Sequence, residues 1–202
     1  ALAISGSLTD PDGIGEWARQ AQNPDGGFGP WEGRASNAVS TCSVVAALSL
    51  ALDDPASAID VGAMAGWLKR VLAAQPVGDP DADLVELSAL TCAARTIGVS
   101  LDTRPIRAAL AIRRRGKAWT RNRSSMPELL ATYSALTAHQ ALGDLELVIH
   151  DAAAWTRSLP ADSDGTAWSA LGSGGAGPLP SALAALILAA SEHGVRLPNL
   201  TL

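Results

Sequence analysis

Four stretches of this chain, 10–52, 57–98, 102–143 and 147–194, follow one plan: a short helix, a loop rich in Gly, Asp and Pro, then a longer apolar helix. Such periodicity narrows the fold to stacked helical hairpins, because a single hairpin cannot bury its own apolar face. Trp17 and Trp67 lie 50 residues apart, as do Thr41-Cys42 and Thr91-Cys92. Gly98, Gly143 and Gly194 each close the second helix of a unit, at intervals of 45 and 51 residues. A glycine just past a helical run is suited to the left-handed residue that ends a helix.

The two helices of a unit differ in character. The second is apolar nearly all round, as in Ser181-Ala-Leu-Ala-Ala-Leu-Ile-Leu-Ala-Ala190, and predicts burial on most sides. The first keeps charge on one face, as in Trp67-Leu-Lys-Arg70, and predicts a solvent-facing helix. The expected fold is all-α, with inner apolar helices inside outer amphipathic ones in a single domain over 1–202. Composition agrees: 48% of residues are hydrophobic yet only eight are aromatic, so the apolar content is mostly helix-forming Ala and Leu. Pro55, Pro105 and Pro198 follow the inner helices, where a helix must stop.

A net charge of −5 argues against a nucleic-acid surface. The longest apolar stretch, 179–190, is too short to span a bilayer and contains Pro180. Cys42 and Cys92 sit in apolar helical runs, which suits buried thiols in a reducing, cytoplasmic setting.

The first unit carries the most specific motif. Gln22-Asn-Pro-Asp-Gly-Gly-Phe-Gly29, then Ser40-Thr41 and an Ala/Leu helix, resembles the repeat of protein prenyltransferase β subunits and squalene-hopene-type cyclases. Asp164-Gly165, Trp168 and Ser181 form a looser second match. The resemblance implies an α/α toroid, a central apolar cavity for isoprenoid chains, and a loop motif that ties neighbouring helices together. A full toroid of these families has about six hairpins, and about four fit here. An unclosed arc exposes apolar flanks, so a second copy or a partner subunit is expected to cover them.

The resemblance also frames the chemistry. The cyclases protonate an alkene from an Asp-x-Asp-Asp motif near an inner-helix start. Asp81-Ala-Asp83 has the spacing of its first two acids, while Leu84 stands where the last belongs. Asp81 and Asp83 are thus the candidate acids, with helix capping as the structural alternative. The zinc of the prenyltransferases finds no counterpart, since His139, His150, His193, Cys42 and Cys92 show no ligand spacing. Magnesium would be expected only in company with a diphosphate.

Arg113, Arg114, Arg115, Lys117, Arg121 and Arg123 put six of the fifteen basic residues into eleven positions. Such a run suits a diphosphate, because guanidinium groups grip phosphate oxygens in a fork. The alternative is a loop neutralised by acids of this chain or of a partner. Phe28, Trp31, Trp119, Tyr133 and Trp168 are the candidate aromatic cavity walls, with Trp17, Trp67 and Trp155 assigned to outer-helix packing. His139, on an inner helix, is either a cavity residue or a satisfied core residue. Two functions follow: an isoprenoid-handling enzyme acting on a prenyl diphosphate or another hydrophobic chain, or a non-catalytic subunit or hydrophobic-ligand scaffold that completes a complex.

Overall fold

The computed structural model describes residues 11–74, 82–122, 126–159 and 178–198. Among them the chain is all-α, with eight α-helices and one two-residue β-ladder. The helices are α1 (Pro11–Ala21), α2 (Ala38–Ala51), α3 (Val61–Ala73), α4 (Leu84–Thr96), α5 (Arg104–Arg113), α6 (Leu129–Leu142), α7 (Ile149–Arg157) and α8 (Pro178–His193). The ladder pairs β1 (Arg114–Arg115) with β2 (Ala118–Trp119) in antiparallel register. Gly98, Gly143 and Gly194 adopt φ of +72°, +80° and +63° just past α4, α6 and α8, as their positions predict.

Two compact units divide the chain. The first comprises Ala1–Pro76, Ala89–Asp102 and Asn199–Leu202; the second comprises Val77–Ser88 and Thr103–Pro198.

In the first unit the Gln22–Gly29 loop joins α1 to α2 and also grips the start of α3. The Gln22 amide donates to the carbonyls of Gly26 at 2.8 Å and Asp60 at 3.1 Å, and accepts from the Asp60 N–H at 2.7 Å. Asp60 in turn caps α3 by accepting from the Ala63 N–H. Arg70 of α3 reaches back to the Asp25 carbonyl at 2.9 Å. The double glycine follows from this close approach. A Cβ on Gly26, which has φ +98°, would lie 2.2 Å from the Ala63 carbonyl, and one on Gly27 would lie 2.8 Å from the Trp67 ring. The motif is a structural tie, as its turn chemistry suggests.

The loop is locked to α2 by a hydroxyl. The Phe28 N–H donates to Thr41 Oγ1 at 2.9 Å, and the Asn37 N–H donates to the Phe28 carbonyl at 3.1 Å. The second unit repeats this. The Trp119 N–H donates to Thr132 Oγ1 at 3.1 Å, and the Glu128 N–H donates to the Trp119 carbonyl at 3.1 Å. Each pair is 91 residues apart: Phe28 with Trp119, Asn37 with Glu128, Thr41 with Thr132. Asp83 holds the same place before α4, where the Leu87 N–H donates to its carbonyl as Thr41 does to Asn37. Structural spacing is therefore 46 and then 45 residues, and the 50-residue interval of the Thr-Cys pairs is a false register. Thr91 falls a turn beyond Leu87, the residue that matches Thr41.

The apolar helices are not buried alike. In α6 every residue from 131 to 138 is buried, and in α4 only Glu86 and Arg95 are exposed. By contrast α2 and α8 bury one side each, through Thr41, Cys42, Val45 and Leu48 in the first and Leu183, Ala184, Ile187 and Ala190 in the second.

Removing the hydroxyl lock strands a buried amide. Thr41→Val is expected to lower stability by about 1–3 kcal/mol in denaturant titrations, with Thr41→Ser recovering most of it. Gly98→Ala should cost about 1 kcal/mol, for its left-handed backbone alone, since nothing lies within 4 Å of its Cβ position. Gly26→Ala should cost several times more, because the Ala63 backbone cannot move aside without displacing α3.

Candidate functional site

The basic run forms the end of α5, a tight hairpin and the segment leading to α6. Arg113 is the last residue of α5 and only 1% exposed. Its guanidinium donates to the carbonyls of Ala109 and Ala82. Burial on main-chain oxygens takes Arg113 out of any diphosphate-binding set. Arg114 pairs with Asp151 at 2.7 Å, and its guanidinium carbon lies 5.3 Å from the Trp119 ring centre. Arg121 pairs with Asp83 at 2.8 Å. Arg115 is exposed and donates to the Ile112 and Arg114 carbonyls, and Lys117 is exposed at the hairpin turn. Four of these cations, Arg113, Arg114, Arg115 and Arg121, are thus committed to this chain's own acids or carbonyls. Arg123, Asp81 and Trp168 lie outside the described residues.

The aromatic candidates separate as well. Phe28 and Trp119 are 1% exposed and Tyr133 is fully buried. The Trp119 indole N–H donates to the Leu110 carbonyl at 3.0 Å, and the Tyr133 hydroxyl donates to the Pro198 carbonyl. His139 in the last turn of α6 meets Asp144 through Nδ1 at 2.7 Å, with its ring centre 5.6 Å from that of Trp119. Asp144 also pairs with Arg107. Burial pushes the Asp144 carboxyl up, but Arg107 and His139 outweigh it and hold the group below its ordinary range. His139 is a satisfied residue here, as its structural alternative anticipates.

Trp31 behaves differently. It is 63% exposed, with the Arg34 guanidinium 5.2 Å from its ring centre. Trp17, assigned to packing on sequence grounds, is 53% exposed, whereas Trp67 is buried as that assignment predicts. Trp17 and Trp31 stand at an open cleft of about 420 Å³ in the first unit. Phe28, Glu32, Ser40 and Ser43 are among its other walls.

The remaining polar constellation lies in the second unit, before α4 and α6. Asp83 accepts from the Val85 N–H through Oδ1 and from Arg121 through Oδ2, so it does cap its helix. Glu128, the N-cap residue of α6 and absent from the sequence candidates, joins it. Glu128 Oε1 is buried without a hydrogen-bond partner among the described residues. Burial raises the Glu128 pKa; Arg121 pulls it down and Asp83 pushes it up, and the balance is upward. Equivalence with Asn37 was the sequence signal that could have found it.

Cys42 and Cys92 are buried thiols. Among the described residues no three His, Cys, Asp or Glu side chains come together to hold a metal ion, and no helix is long and apolar enough to cross a membrane. No protein-family profile matches the chain, and no curated protein matches it in sequence.

A carboxyl whose pKa rises on folding costs stability once the pH climbs through its folded pKa, because the folded state must then give up a proton it holds more tightly than the unfolded chain does. Glu128→Gln removes that cost. In paired thermal melts the variant should gain over the parent at pH 7, and the gain should shrink towards zero near pH 4.

Proposed function

We propose that this protein is a helical repeat module of the prenyltransferase and cyclase type that works as a non-catalytic subunit. Its inner and outer helices form an arc of an α/α toroid in the cytoplasm, completed by a second copy or a partner. The observation that carries this reading is the commitment of the polar candidates to structural bonds. Arg113 serves carbonyls, Arg114 serves Asp151, Arg121 serves Asp83, and His139 serves Asp144. A site that reads a diphosphate needs guanidinium groups still able to turn towards phosphate oxygens.

A second reading, the isoprenoid-handling enzyme, is favoured by one feature. Glu128 holds its proton more tightly than an ordinary carboxyl and lies in the field of Asp83, the acid-pair arrangement that keeps a proton available for donation. Incubation with geranyl, farnesyl and geranylgeranyl diphosphates in magnesium buffer separates the two. The subunit reading expects no diphosphate release and no new hydrocarbon by mass spectrometry. Turnover that Glu128→Gln or Asp83→Asn reduces by about 100-fold or more, the scale of a lost general acid, would overturn it in favour of the enzyme.

A further inference from the structure

The Trp17/Trp31 cleft occupies a place in its hairpin that the third hairpin fills with a helix. On the 91-residue equivalence set by the hydroxyl locks, Pro30, Ser40, Ser43 and Val44 of the cleft correspond to Arg121, Ala131, Ser134 and Ala135. In the second unit two of those positions, Arg121 and Ser134, bond to the opening turns of α4. The Leu84 N–H donates to the Arg121 carbonyl at 3.0 Å, and the Ser88 hydroxyl donates to the Ser134 carbonyl at 2.7 Å. Ala131 and Ala135 are fully buried. In the first unit the matching Ser40, Ser43 and Val44 stay half-exposed beside the open cleft.

We infer that this cleft is a helix-docking groove that receives the N-terminal half of α8 from a second copy of the chain. The inference rests on the subunit reading and names the surface through which it acts. Among the described helices, α4 and α6 have almost no side left to offer, and α2 builds the groove itself. The apolar helix with a free face is α8. It carries Leu179, Ala182 and Ala185 exposed along one side, and it has no charged residue before Glu192. An uncharged, small-residue face can enter a groove without stripping water from an ion. Glu32 in the groove wall gives the positive end of the incoming helix an anionic neighbour. Groove and helix are different surfaces, so each copy offers one of each and the contact is head-to-tail.

Light scattering after size exclusion tests this with two variants, Ser43→Arg in the groove and Ala182→Arg on the exposed side of α8. The parent is expected above monomer mass, and its tryptophan emission should move to shorter wavelength with concentration as Trp17 and Trp31 become covered. Each variant alone should run as a monomer with unchanged circular dichroism. An equimolar mixture should recover a dimer, because one copy keeps an intact α8 and the other an intact groove. Because Ala182 is exposed, its variant reports on the contact even if Ser43→Arg perturbs folding. A parent that associates while Ala182→Arg still does so, or while the mixture stays monomeric, overturns the groove assignment and leaves the subunit reading standing. A monomeric parent whose tryptophan emission responds to farnesol assigns the groove to a small apolar ligand and also overturns it. Prenyl diphosphate turnover counts against the subunit reading alone.

Discussion

One threonine hydroxyl in the first turn of an apolar helix sets the geometry of a whole hairpin. The amide of the aromatic residue that follows the turn is buried, and a buried amide without a partner is costly. Thr41 supplies that partner for Phe28 and Thr132 supplies it for Trp119. Once the bond forms, loop and helix share a fixed register, the aromatic ring is drawn into the core, and the residue four before the threonine becomes the cap. The positions of Asn37 and Glu128, the depth of Phe28 and Trp119, and the faces α2 and α6 present all follow from it. Aromatic identity matters less than the amide: a Phe in one hairpin and a Trp in another occupy the same place.

Much of the scaffold was legible in the residues. Apolar runs ended by Gly98, Gly143 and Gly194 marked the longer helices, and the Gln22–Gly29 turn announced its role as a tie. Register was less legible. Thr41-Cys42 and Thr91-Cys92 look like a repeat because small residues recur often in Ala-rich helices, whereas the true match to Thr41 in the second hairpin is Leu87. Trp17 illustrates a different limit. Its place on an amphipathic helix is clear from sequence, but exposure depends on whether a neighbouring element covers it, and periodicity along one helix carries no information about that.

Charge was the least legible property. A run of six cations invites an anionic ligand only while the partners of those cations are unknown. Asp83 and Asp151 lie 38 residues before Arg121 and 37 residues after Arg114, beyond the reach of any local pattern. Glu128 was hidden for a related reason. Nothing in its neighbours Pro127 and Leu129 marks it, and its raised pKa arises from burial and from Asp83, far along the chain.

The joints between successive hairpins are made of different materials. Asp60 and Asp151, 91 residues apart, stand at the openings of α3 and α7, the helix that follows each loop. The first is held through its backbone by the neutral amide of Gln22, the second through its carboxylate by the guanidinium of Arg114. Mobile counter-ions weaken the charged joint and leave the amide joint almost untouched. Ionic strength therefore acts on this chain selectively, softening the connection in the second unit while the corresponding connection in the first stays firm.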